Sequence, residues 1–407
     1  MKTFFASLLT LLAFGARAAT VTWTGGGGSQ VWSVAGNWSP GLPVSGDDLT
    51  FAGAASLATV NNRSPNPFYG RITLSAPGYV VSGTRTVGTT NGIFVTHAGG
   101  ETTFSAFTGF SGRARCHVES PDAILHLFYV SLSGGGVTFD GAGTTTVELG
   151  MGGTGDLIQN GPGRVVLGGN ACCFEGGAII NGGTLEVNGL LDPLAGTELN
   201  AGGTLSGNGE LGNVRANAGT VAPGNELPGT LTVGSMTLSP TSALHVRLND
   251  APNDSDLLTV LDQLDIAGAT LNVTLENFPF WGTSYRIIES TNAGAIGGTF
   301  AGLPDGATLD VNGTQLRINY HADFGKAVEL TVVSRPLLVT GIECLSDGSK
   351  QLYLDGNALA SFVIEASTNL VDWIALGTNQ PNATGQLQFT DPDAALTAGR
   401  FYRARTQ

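Results

Sequence analysis

Three tryptophans, Trp23, Trp32 and Trp38, fall in a Gly-rich stretch near the start of the chain. Indole rings stack on the apolar faces of sugars, so such a platform would take an extracellular polysaccharide or a cell-surface glycan. The competing use is burial, in which large aromatics plug the open end of a stack. A second group, Asp250, Asn253, Asp254 and Asp256, places four oxygen-bearing side chains in one short loop. Calcium takes about six to eight oxygens, and an EF-hand loop also needs Gly at its sixth position and Glu at its twelfth. Counted from Asp250, those positions hold Ser255 and Leu261. With Pro252 inside it, the loop is expected to be a solvated turn.

Polysaccharide-cleaving β-helices such as pectin lyases and polygalacturonases line one sheet with carboxylates and cations that act as acid, base and uronate ligands. Between Gly141 and Gly234 the charged residues are Glu148, Asp156, Arg164, Glu175, Glu186, Asp192, Glu198, Glu210, Arg215 and Glu226, with no Asp-Asp pair and no His. Glu148 and Glu186 lie within strands next to Val and are expected to point outward as solubilising charges. The histidines His97, His117, His126, His245 and His321 are scattered singly. Cys116 and His117 are neighbours, but adjacent strand residues face opposite sides of a sheet. Gly25 to Gly28 lacks the Lys and the following helix of a phosphate loop. No catalytic group, metal or cofactor is expected from these patterns.

The elements that would carry these residues are strands. GTTTVELG at Gly143, GRVVLGGN at Gly163, GTLEVNGL at Gly183 and GTLSGNGE at Gly203 recur at one constant interval. A fixed period of about 20 residues, with a short apolar run and a Gly turn in each unit, predicts a β-solenoid whose rungs bury their faces on one another. The expectation is about four regular rungs between β-rich ends that do not share the beat. Residues 19–140 alternate apolar and polar residues in short runs and are predicted to form a β-strand module that starts the solenoid. Residues 141–335 carry the repeat and a closing region with hairpin turns such as Asn312-Gly313. After a break at Arg335-Pro336, six short apolar runs in residues 337–407 suit a small β-sandwich of fibronectin or immunoglobulin type.

Lys2, the apolar run Phe4 to Phe14 and Ala16-Arg17-Ala18 read as a cleavable signal peptide over residues 1–18. No later stretch is long and apolar enough to suggest a membrane helix. Secretion or display at the cell surface is the expected location. Loss of Lys2 and Arg17 would take the formal charge from −14 to −16. An acidic chain repels phosphate backbones and anionic lipid, so neither nucleic acid nor membrane is an expected partner. Four cysteines, Cys116, Cys172, Cys173 and Cys344, cannot staple a chain of this length. A bridge from Cys116 to Cys172 or Cys173 and packing as small apolar residues both remain open.

The order GPGRVVLGGN, Cys172-Cys173-Phe174-Glu175-Gly176-Gly177 and AIINGGTLEVNG resembles one unit of the autotransporter-associated β-strand repeat of Gram-negative bacteria. Phe174 matches that family's aromatic, Gly176 and Gly177 its turn, and Gly183-Thr184-Leu185 its final strand, while the cysteines replace polar residues. Val221-Ala222-Pro223-Gly224, Ser255-Asp256-Leu257-Leu258 and Gly298-Thr299-Phe300 are similar to the region after such repeats, and Trp23, Trp32 and Asn37-Trp38 to the opening module. Ile364 to Trp373 and Arg400 to Arg403 resemble a terminal β-domain of exported repeat proteins. The resemblance implies an all-β chain with a right-handed parallel β-helix. It also implies an exported passenger with a structural or adhesive role and no catalysis. A carbohydrate-binding or carbohydrate-degrading β-helix is the alternative. The closing membrane barrel of true autotransporters has no counterpart before Arg405-Thr406-Gln407, so self-translocation is not expected to carry over.

Overall fold

A computed structural model describes residues 18–406, apart from 172, 252, 253, 278, 293–295, 359 and 398. Almost all of the signal-like segment, with Cys172, Pro252 and Asn253, lies outside the described residues. The chain is nearly all β, wound as stacked parallel coils of a β-solenoid and followed by an antiparallel C-terminal domain. It forms two compact units, Met1–Thr145 and Thr146–Gln407.

In the N-terminal unit the strands Thr20–Trp23, Asp48–Phe51, Phe68–Leu74, Val87–Val95, Ala114–Val118 and Val137–Gly141 pair in parallel, each on the next. Their alternation puts one inward row in register: Val21, Leu49, Ile72, Ile93, Cys116 and Phe139, all buried. Each aliphatic side chain in such a row contributes about 1.5–3 kcal/mol by leaving water. The step along the chain shrinks over the first coils and then grows again, since Val21 faces Leu49, Leu49 faces Ile72, Ile72 faces Ile93 and Ile93 faces Cys116. The coils therefore begin with the first strand, and their uneven length hides them from a search for a fixed period.

The C-terminal unit repeats the arrangement. Val165, Leu185, Leu205, Val221, Leu244 and Leu271 form its buried inward row. The steps from Val165 to Leu185 and from Leu185 to Leu205 are equal, the step to Val221 is shorter, and those to Leu244 and Leu271 are longer. The regular beat is only the evenly spaced part of a longer stack. Corners demand glycine. Gly207 has φ +116°, and a Cβ there would lie 2.0 Å from the carbonyl oxygen of Val187 one coil below. At one turn an asparagine ladder runs along the stack. Asn181 donates to Asn160 (2.8 Å), Asn200 to Asn181 (2.8 Å) and Asn217 to Asn200 (3.1 Å).

The stack closes when pairing turns antiparallel. Ser284–Ser290 pairs with Ala327–Ser334, which pairs with Thr314–Ala322, which pairs with Thr308–Val311. Asn312 and Gly313, at φ 53° and 83°, make the expected hairpin turn between the last two strands. Six further strands form two three-stranded antiparallel sheets around Leu352, Leu354, Ile364 and Leu387, where the six apolar runs predicted them. Arg335, at the expected break, is buried. It donates to the carbonyl of Pro279 (3.2 Å) and to the carboxylate of Asp355, tying the closing region to the C-terminal sheets.

Candidate functional site

Trp23, Trp32 and Trp38 come together, but as core. Their relative exposures are 1%, 0% and 4%. Trp38 meets Trp23 and Trp32 edge to face, with centroids 5.0 and 5.4 Å apart, and Trp32 also packs on Phe51 and Tyr69. Trp23 Nε1 donates to the Ser56 carbonyl and Trp38 Nε1 to the Trp32 carbonyl, each at 2.9 Å. Such covered rings present no face on which a sugar could stack, which corrects their candidacy as glycan contacts. Burial of large aromatic area is the stronger demand here.

The acidic loop also resolves differently from its expected solvated turn. Asp254 accepts from Asn249 (2.8 Å) and Asp250 from the Ala251 amide (2.9 Å), as turn residues do. Asp256 instead folds back against the outer face of the sheet and is buried. Its Oδ2 accepts from the Arg247 amide (2.8 Å) and Nε (2.9 Å), and its Oδ1 from an Arg247 guanidinium nitrogen (3.0 Å) and the Gly229 amide (2.9 Å). Arg247 in turn donates to the carbonyls of Asn225 (2.9 Å) and Leu227 (2.8 Å), holding that loop against the sheet.

This pair lies in a cleft of about 380 Å³ on the outer face of the parallel sheet, with Arg164, Glu186, Ser206 and His245. The cleft forms because outward positions align from coil to coil: Glu186 sits beside Ser206, and Arg164 beside Thr184. Glu186 is buried rather than solvated, because Arg164 donates to its Oε2 and Asn188 to its Oε1. His245 Nε2 lies 2.9 Å from Thr274 Oγ1, and Glu226 stands exposed at the cleft. A general acid or base must be free to exchange a proton with substrate. Glu186 and Asp256 have both oxygens engaged by other groups, which suits them to hold neighbouring coils together.

On the outer face of the N-terminal unit, Asp140 accepts from Arg115 Nε (2.8 Å) and approaches His117 Nδ1 to 2.5 Å. Arg71 stacks over Phe94 at 3.7 Å. Cys116 points the other way, into the core, as strand alternation requires. Burial pushes its thiol up to about 12, with a partly offsetting contact to Thr145 Oγ1 at 3.8 Å. It is a free, inert thiol, while Cys172, one of the two bridge partners considered for it, lies outside the described residues. Among the described residues no group of three or more His, Cys, Asp or Glu side chains converges to hold a metal ion. Nor is any described helix long and apolar enough to cross a membrane.

Sequence reasoning overlooked a second groove, of about 340 Å³, lined by Phe68, Phe107 and Tyr129 with Asn66, Thr86, Ser131 and Ser133. Phe68 is 39% and Phe107 49% exposed. Phe107 lies 5.1 Å from Tyr129 and stacks at 6.2 Å on Phe128. One signal was available for part of it: alternation puts Phe68 outside beside buried Tyr69, whereas Phe107 lies just before the strand Thr108–Ser111 and Phe128-Tyr129 interrupts the alternation of Ala123–Ser133.

No protein-family model matches the chain, and no curated protein is detectably similar to it.

Proposed function

We propose that this chain is an exported, non-catalytic β-solenoid of passenger type that serves as a structural or adhesive element at the cell surface or outside the cell. The observation that carries this is the pairing of polar groups from coil to coil on the outside of the C-terminal unit. There Arg164 engages Glu186, Arg247 engages Asp256, and the asparagine ladder joins coil to coil. Those polar groups act in the stack itself, and a stack held both inside and outside resists local opening, which a protein exposed to extracellular proteases needs. The signal-like N-terminus and the likeness to autotransporter-associated repeats support export. A polysaccharide-degrading role would need a pair of available carboxylates about 5–10 Å apart, whereas of the three carboxylates lining the cleft Glu186 and Asp256 are engaged, which leaves Glu226 without a second available one.

Cell fractionation with an antibody to the mature chain, paired with reducing-end and unsaturated-uronide assays on a polysaccharide panel, tests this. The expected outcome is recovery from the envelope or medium with no product released. Retention in the cytoplasm, or turnover lost on Glu186→Gln, would sink it.

A further inference from the structure

We propose that the groove between Phe68, Phe107 and Tyr129 binds a neutral polysaccharide; this rests on the adhesive reading above and supplies its ligand class. The groove is built into the coil register. Phe68 pairs with Gly88, Gly88 with Gly109, and Gly109 with Ser131, so two successive coils give up a side chain along one outward row. A Cβ on Gly88 would lie 2.8 Å from Phe68 Cδ1, so the glycine lets that ring lie down over the floor. Beside the row, Phe107 and Tyr129 stand at 5.1 Å with a 41° tilt, forming a wall.

The chemistry of the lining selects the ligand. A pyranose ring offers C–H groups on its faces and hydroxyls around its edge, matching aromatic faces flanked by an amide and hydroxyls. Asn66, Thr86, Ser131 and Ser133 supply those polar contacts, and none of the described residues lining the groove is charged. Without a cation, it has no means of compensating the desolvation of a uronate or a sulfate. Ser133 already donates to the Phe110 carbonyl, but an apolar protein segment would leave Asn66, Thr86 and Ser131 unanswered, which makes it the poorer occupant.

Affinity electrophoresis of the full chain through gels containing hydroxyethylcellulose, galactomannan or polygalacturonate tests this. At least one neutral polymer should retard the chain. Phe107→Ala should weaken its apparent Kd about tenfold, the size of one lost stacking contact. Tyr129→Phe, which keeps the ring, should bind as wild type, and both variants should keep the wild-type Tm. Undiminished retardation of a Phe68→Ala/Phe107→Ala variant would overturn the groove and leave an adhesive chain. Retardation by polygalacturonate alone would overturn it as well. If no polymer retards a chain that still fractionates with the envelope, the groove fails and the structural reading stands. A chain that also stays in the cytoplasm removes both.

Discussion

In the C-terminal unit, polar side chains leaving the sheet find partners about one coil away, as Arg164 does with Glu186 and each asparagine with the next. In the N-terminal unit a comparable cluster gathers around Asp140, whereas Phe68 in the same kind of outward row and Phe107 beside that row are exposed. The inward rows of the two units are nearly interchangeable, Val21 to Phe139 in one and Val165 to Leu271 in the other. Parallel stacking dictates what points in and leaves the outer row open. One outer row is used for cohesion and the other displays aromatic surface.

The largest effects should be common to both units. Gly207→Val and Gly92→Val would each force a Cβ into a neighbouring coil's carbonyl at positive φ, at 2.0 and 1.7 Å. Each is expected to cost about 4 kcal/mol or more and to lower the thermal midpoint sharply. A tolerant Gly207 would mean that the corners are not packed as described.

Asp256→Ala and Asp140→Ala should then separate the units. The first strands the guanidinium of Arg247, itself largely buried, at a cost of about 3–5 kcal/mol. The second removes a partner from half-exposed Arg115 and should cost about 1 kcal/mol or less. Equal losses in urea titrations would erase the distinction between cohesive and displayed faces.

Asn181→Ala breaks two rungs of the ladder at an exposed turn and should cost about 1 kcal/mol by the same titration. If it is silent, the ladder does not contribute to cohesion.

The smallest effect concerns the terminal sheets. Arg405 and Arg403 donate to Glu365 at 2.9 and 2.7 Å and hold its carboxyl below the usual range. A depressed pKa gives stability that is full above the unfolded value of about 4.3 and is lost as pH falls through the folded value. Melting curves should therefore show the wild type losing ground to Glu365→Gln below about pH 4. Parallel curves for the two proteins would discount the carboxylate.

The β-solenoid was legible wherever glycine and β-branched residues kept an even beat, from Gly143 to Leu205. It was faint where the coils lengthen, although Val21, Leu49 and Ile72 obey the same inward rule. The expectation for Glu186 failed for a different reason. Alternation tells which side of a sheet a residue takes, but its partner Arg164 lies one coil and two residues back, and only coil-to-coil register places them together. Asp256 was misread likewise, because turn composition cannot show that an arginine on the preceding strand reaches back into the turn. Asparagines 160, 181, 200 and 217, each opening a Gly- or Ala-containing turn, were a visible sign of the ladder. The tryptophans favoured packing from sequence, since large aromatics mostly serve burial, and neighbours such as Phe51 and Tyr69 bear that out.

Each coil pairs with the one just before it in the chain, as Thr220 does with Thr204 and Asp48 with Thr20. Loop closure is therefore short throughout, and nearest-neighbour contacts dominate. A chain passing through a pore from its N-terminus could complete every turn on one already in place, without waiting for distant segments. The antiparallel strands from Ser284 to Ser334 would emerge near the end of that process. Until then the growing edge would offer unpaired amides and carbonyls, and one molecule passing through a pore in this way would be open to capture by another.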